Sequence, residues 1–164
     1  MRNALKYVKS AFSLARSQNA AGRRPGARFL ALPEYRIYLA AYEGDLTGAN
    51  VFALMRAFFQ QEPECMNYGV INDVRRHYGV IHDQDMIDHL KWIRTMRVAK
   101  GWIERPSIPV AFISRSSESG RGLVSVYASV VGGANACYLD TPQAAWQAVH
   151  GTDPIPDEVR RFFR

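Results

Sequence analysis

Residues able to do chemistry are densest in the segment 68–85, YGVINDVRRHYGVIHDQD, which holds Asp73, Arg75, Arg76, His82, Asp83 and Asp85. Asp85 and His89 are spaced i, i+4, so on a helix they share one face, and both side-chain types can bind zinc. His82 lies seven residues before His89. A plainer account covers the same residues. Asp83 is a natural N-cap for a helix starting here, acids in a first turn meet the positive end of the helix dipole, and Asp88 with Lys91 makes an i, i+3 surface pair. No third ligand follows at a recognised spacing, so the expectation is no metal and no cofactor.

A second polar cluster, SRSSESGRG, runs from Ser114 to Gly122 between an apolar run and a helical pattern. Strand ends of open α/β sheets gather ligands, and a helix start offers free N–H groups to anions. Arg115, Ser117 and Arg121 would add donors there. The segment is too short for a phosphate-binding Walker loop and lacks its Lys-Ser/Thr pair. Its plain reading is a polar loop in which Ser119 caps the helix. If Arg75 and Arg76 leave the neighbouring strand end toward the same crevice, a basic pocket forms between the two loops, and this is the ligand site the sequence predicts.

No nucleophilic machinery assembles from the remaining residues. There is no GxSxG elbow, and the four histidines have no matched Cys or Ser neighbour. Cys65 and Cys137 form no ligand pattern, and a buried free thiol is the reading for Cys137. The expectation is a protein that binds instead of catalysing, with a metal-dependent hydrolase centred on His82 as the remaining enzymatic alternative.

These residues need elements to position them. From Phe29, RFLAL and RIYLAAYEG read as two strands around a turn. DLTGANVFALMRAFFQQEP then reads as a helix capped by Thr47, with Val51, Leu54, Met55 and Phe58 at helical spacing until Pro63. YGVIND is a short strand ending at Asp73. DQDMIDHLKWIRTMRVAK is a second helix that turns Met86, Leu90 and Ile93 inward. IPVAFIS is a strand apolar enough to be buried on both faces. ESGRGLVSVYASVVGG is a helix closed by Gly132-Gly133, and NACYL is a strand. DTPQAAWQAVHG is a helix with Thr141 as N-cap, Pro142 at its first position and Gly151 at its end. Strands alternating with helices predict an α/β domain, with a sheet made mixed by the opening hairpin.

The formal charge of +6 is unevenly spread. Residues 1–33 carry seven of the 21 basic residues and no acid, which leaves 14 basic against 15 acidic in the rest, a net of −1. With no basic excess on the body, specific nucleic-acid binding is not expected. Residues 1–28 read as a basic tail: an amphipathic helix with Leu5, Val8, Phe12 and Ala15 on one face, suited to an anionic membrane surface, then a Gly/Pro-punctuated linker. A frayed tail, or an upstream stretch from a misassigned start, is the alternative. The domain occupies 29–151, and 152–164 is a C-terminal extension with a short helical turn. No run approaches the ~20 apolar residues of a membrane span, and no signal-peptide core opens the chain. A cytoplasmic location is expected.

The succession YEGDLTGANVFALMRAF, VINDVRR, PVAFIS with GRGLVSVYASVV, and ACYLDTPQAAWQAV resembles the STAS domain, in particular its SpoIIAA-like branch, over residues 29–151. The resemblance implies a single mixed four- to five-stranded sheet with β-α repeats and flanking helices. It also implies a non-enzymatic regulatory role with a protein partner. Anti-sigma-factor antagonists of that superfamily are phosphorylated on a serine at the start of the helix after the central strand. Here Ile81, His82, Asp83 and Gln84 stand at that place, and residues 66–106 contain no serine and only one threonine, Thr95. The phosphorylation switch does not carry over. Lipid-transfer relatives of the fold supply the alternative, a domain that binds an anion or a lipid headgroup.

Overall fold

The computed structural model describes residues 8–13, 25–102, 108–131, 135–151 and 154–164. Six strands form one sheet in sequence order: β1 (Val8–Ser13), β2 (Gly26–Leu32), β3 (Ile37–Gly44), β4 (Gly69–His77), β5 (Val110–Ile113) and β6 (Ala136–Leu139). β1, β2 and β3 pair antiparallel, and β3 through β6 pair parallel. Three helices cross between the parallel strands: α1 (Gly48–Gln61), α2 (Asp83–Ala99) and α3 (Ser117–Val131). After β6 come α4 (Pro142–His150) and α5 (Asp157–Phe162).

Alternation along the strands divides the core. Phe29, Tyr38, Ala40, Val70, Val110 and Phe112 face α1 to α3, while Leu30, Leu39, Ile71, Ala111 and Ile113 face α4 and α5. With crossovers α1, α2 and α3 on one face and strands added in one direction, every β-α-β unit has the same hand, as the twist of the strands requires. The expected mixed α/β sheet with β-α repeats is the one observed. Caps set by local side chains are also as read: Thr47 accepts from the Asn50 N–H at 3.3 Å, Thr141 accepts from the Ala144 N–H at 3.2 Å, and α4 closes on Gly151 at φ 79°.

Several expectations need correction. Val8–Ser13, read as part of an amphipathic helix, is a strand whose six residues pair with Gly26–Ala31, so the sheet has six strands and the expected tail contributes one. Hydrogen-bonding partners 13 to 23 residues away override the local helical spacing. The expected helix over 1–7 and 14–18, residues 18–24 of the expected linker 18–28, and the Gly132-Gly133 stop lie outside the described residues, while Gly26, Ala27 and Arg28 of that linker open β2. The C-terminal extension does pack through Phe162 and Phe163, as its helical turn suggests, and goes further by joining the core, with Ile155 and Val159 also buried beside Trp146. β4 continues four residues past Asp73 to His77, and α3 starts at Ser117, which places Ser119 inside the helix and not at its cap.

Candidate functional site

The Asp73–Asp85 segment divides into two parts. Between β3 and β4 the register slips, with Ala41 opposite Asp73 but Glu43 opposite Arg76, so β4 carries one extra residue. Such a bulge re-aims the side chains beyond it. Arg75 grips Asp73 with both ends of its fork, Nε donating to Oδ1 at 2.9 Å and Nη2 to Oδ2 at 2.7 Å, and Nη2 also donates to the Phe163 carbonyl at 3.2 Å. The Asp73 carboxylate is buried, and its pairing raises the Arg75 pKa. Arg76 pairs with Glu43 at 2.7 Å and donates to the Arg164 carbonyl at 3.3 Å. The two arginines expected to face a common crevice are therefore committed: Arg75 seals α5 to the sheet and Arg76 closes a surface pair.

The loop after β4 is stapled to the loop after β3. His77 Nε2 donates to the Leu46 carbonyl (2.7 Å), Tyr78 N–H to the Gly44 carbonyl (3.1 Å), and Gly48 N–H to the Val80 carbonyl (3.0 Å). Gly79 lies against the Leu46 backbone so closely that an added Cβ would collide with it. The cap of α2 is His82, not Asp83. The Asp85 carboxylate accepts from the His82 N–H at 3.4 Å in a capping box, and Asp83 stays exposed in the first turn. Asp88 accepts from Gln84 Nε2 at 2.8 Å. Among the described residues no three His, Cys, Asp or Glu come together as a metal requires.

A crevice of about 540 Å³ does open at the ends of β4 and β5, lined by Arg75, His82, Asp83, Ser114, Arg115 and Ser116 among others. Its walls carry both signs of charge. Ser117 and Arg121 are absent from its lining: Arg121 Nη2 donates to Ser117 Oγ at 3.3 Å along their own helix. Asp85 and Arg76 do not line it either. Of the nine residues singled out, the structure thus brings Arg75, His82, Asp83 and Arg115 to one crevice. It places Asp73, Arg76, Asp85, Ser117 and Arg121 in local pairs.

A second and more apolar space adjoins this crevice, sharing Val74, His77, Ile81, Met86 and Leu123 with it. α2 comes closer to α1 and α3 than to any strand of the sheet. Of its seventeen residues only Met86 and His89 are buried. Beneath it remains a cavity of about 600 Å³ floored by Tyr38, Tyr42, Val70, Asn72, Val110 and Phe112. Because Lys91 and Arg94 line it and are exposed, the cavity reaches the surface along α2.

Three polar groups on this cavity's walls, those of Tyr42, His89 and Arg97, are unpaired or only weakly paired. Tyr42 donates to Asn72 Oδ1 at a long 3.5 Å. His89, 2% exposed, stacks on Phe52 at 4.5 Å and on Trp92 at 6.1 Å, yet neither ring nitrogen has a partner among the described residues. Burial, with the Arg56 charge adding to it, lowers the His89 pKa to about 3, so the imidazole is neutral. Arg97 Nε and Nη2 are likewise buried without a partner. The sequence pattern placed Met86, Leu90 and Ile93 inward correctly but gave no notice of a cavity. The available signal was the interleaving of His89 and Arg97 on that same inward stripe.

Among the described residues no helix is long and apolar enough to cross a membrane. No protein-family model matches the chain, and no curated protein does. The chain is similar to a solved structure from Shewanella loihica PV-4 described as an uncharacterized protein from the DUF3478 family with a SpoIIAA-like fold. The two are 12% identical, the alignment covers 91% of this chain and 99% of that one, and the TM-score is 0.48.

Proposed function

We propose that this protein is a non-enzymatic binding module that takes a small molecule with an apolar body into the cavity beneath α2. One observation carries the reading. Domain interiors are packed as tightly as organic crystals, whereas here about 600 Å³ lies beneath a helix held off its sheet, in the size range of ligand pockets and lined mostly by apolar and aromatic side chains. The groups that would serve catalysis are damped. Burial pushes the Cys65 thiol up to about 12 and raises that of Cys137, while the His89 imidazole stays neutral. Ser114 Oγ is spent on the Ser116 carbonyl at 3.1 Å.

The test is a thermal-shift titration with medium-chain apolar probes on the wild type and on Leu90→Trp, which drives an indole into the cavity. Stabilisation of the wild type that the variant loses supports the reading. An equal shift in both proteins places the probe elsewhere and refutes it.

A second reading, a protein-binding regulatory module, rests on the loop between β4 and α2, where Tyr78 is 68% and Val80 63% exposed beside the crevice. The backbone staples to Gly44, Leu46 and Gly48 hold this apolar pair in a fixed place, which preorganises it for docking. Affinity capture with the wild type and with Tyr78→Ser/Val80→Ser tests it. Recovery of the same partners by both proteins sinks it.

A further inference from the structure

Resting on the small-molecule reading above, we infer that the ligand is an amphipathic anion, an apolar body ending in a carboxylate or phosphate-type oxyanion, with the anionic end held by Arg97. The first support is the charge of the walls. Lys91, Arg94 and Arg97 line the cavity, and among the described residues that line it there is neither Asp nor Glu. Cations beside a low-dielectric, apolar space attract an anion far more strongly than the same cations would in water.

The second support is the state of Arg97 itself. Its side chain is half-buried on the cavity wall, and Nε and Nη2, two donors of one planar fork, have no acceptor. Desolvated donors left unmade are costly, and charged ones more so, while this fork has the shape that accepts two oxygens of a carboxylate or phosphate. Tyr127 lies close by on the same wall. Burial raises its pKa and the Arg97 charge opposes that rise, which sets the guanidinium within electrostatic reach of the phenol. The phenol O–H is a further donor for the same oxyanion.

An ordinary role competes with this one: Arg97 is in the last turn of α2, where a cation meets the negative end of the helix dipole. That attraction needs only a charge near the helix end. It does not call for burial of two N–H groups against a cavity without an acceptor. Other places for the anion are less suited. His89 is neutral and offers one donor and one acceptor, which fits a hydroxyl or a neutral polar group better than a negative charge. Arg56 also has a buried Nε without a partner, but its guanidinium lies over the Trp92 ring at 5.5 Å and does not line the cavity. In the neighbouring crevice Arg115 shares the walls with Asp83. The negative end therefore sits at Arg97, with the apolar body running inward toward Val70, Val110 and Phe112.

Titration calorimetry of the full chain with dodecanoate, dodecyl phosphate, dodecanol and dodecylammonium tests this. Dodecanoate, dodecyl phosphate or both should bind at least about tenfold more tightly than dodecanol, as charge-assisted hydrogen bonds imply, and dodecylammonium should bind most weakly. The order of the two anions tells a carboxylate source from a phosphate source. Arg97→Gln should bind acid and alcohol alike. Arg97→Lys, which keeps the charge without the fork, should keep a reduced preference and guards against a folding defect in the Gln variant. Arg115→Gln should change nothing. Equal binding of alcohol and anions to the wild type, or an unchanged anion preference in Arg97→Gln, overturns the inference and leaves the cavity reading intact. Failure of all four probes to bind defeats both.

Discussion

His89 gives the sharpest quantitative expectation. A neutral imidazole, 2% exposed and lacking partners for both nitrogens, forfeits hydrogen bonds that the unfolded chain makes with water, at about 1–3 kcal/mol for a buried unsatisfied polar group. Its stacking on Phe52 at 4.5 Å is a contact that a phenyl ring reproduces. His89→Phe should therefore stabilise the protein by about 1–3 kcal/mol at pH 7, roughly 2–12 °C in melting temperature for a domain of this size. A pH series separates this cause from simple packing. With a folded-state pKa of about 3 against 6.5 unfolded, the unfolded chain binds the extra proton through this window. Stability contributed by keeping His89 neutral is thus complete above the unfolded value and is lost as pH falls toward the folded one, at about 1.4 kcal/mol per pH unit. Between pH 7 and 5 the advantage of His89→Phe over wild type should widen by about 2 kcal/mol. Urea unfolding followed by circular dichroism at both pH values measures this. A variant less stable than wild type at pH 7, or a gap that does not widen, would show that His89 is partnered or hydrated, and the reasoning would fail.

Further outcomes follow from the same geometry. Gly79→Ala must displace the Leu46 backbone and should cost about 3 kcal/mol or more, whereas Gly122→Ala, with open space around its Cβ on α3, should gain roughly 0.5–1 kcal/mol; chemical unfolding compares the two. Asp73→Asn leaves the Arg75 guanidinium against α5 without its counter-ion. Since the Arg75 side chain is 27% exposed, the loss should be about 1–3 kcal/mol, against under ~1 kcal/mol for Arg76→Gln in the exposed pair. Cys65, with its thiol pushed to about 12, should resist iodoacetamide in the native protein at pH 8 and react once unfolded, as peptide mass mapping would show. Rapid native labelling of Cys65 would contradict its burial.

Much of the frame was legible because its causes are local. Thr47 and Thr141 cap the helices they precede through bonds to N–H groups three residues on, and a pattern confined to one segment records that. The alternation that sends Phe29 and Tyr38 to one face and Leu30 and Leu39 to the other is written in adjacent residues. The polar cluster at 73–85 was legible as residues but not as partners. Asp73 and Arg75 are two apart and follow Ile71 in alternation onto the α4–α5 face, yet what completes Arg75 is a carbonyl 88 residues away.

The amino-acid order by itself determined that this chain makes a mixed α/β sheet with α1 and α4 capped by Thr47 and Thr141, because those caps and the periodicity act within a few residues. Tertiary structure alone decided three things: that Val8–Ser13 is a strand, that Arg75 ties α5 to the sheet while Arg76 closes a surface pair, and that α2 stands off the sheet over a cavity walled by His89 and Arg97. Each depends on the distance between segments remote in the chain. A helix carries the same inward stripe whether it rests on its sheet or is held above it, so only the packed chain reveals the space between.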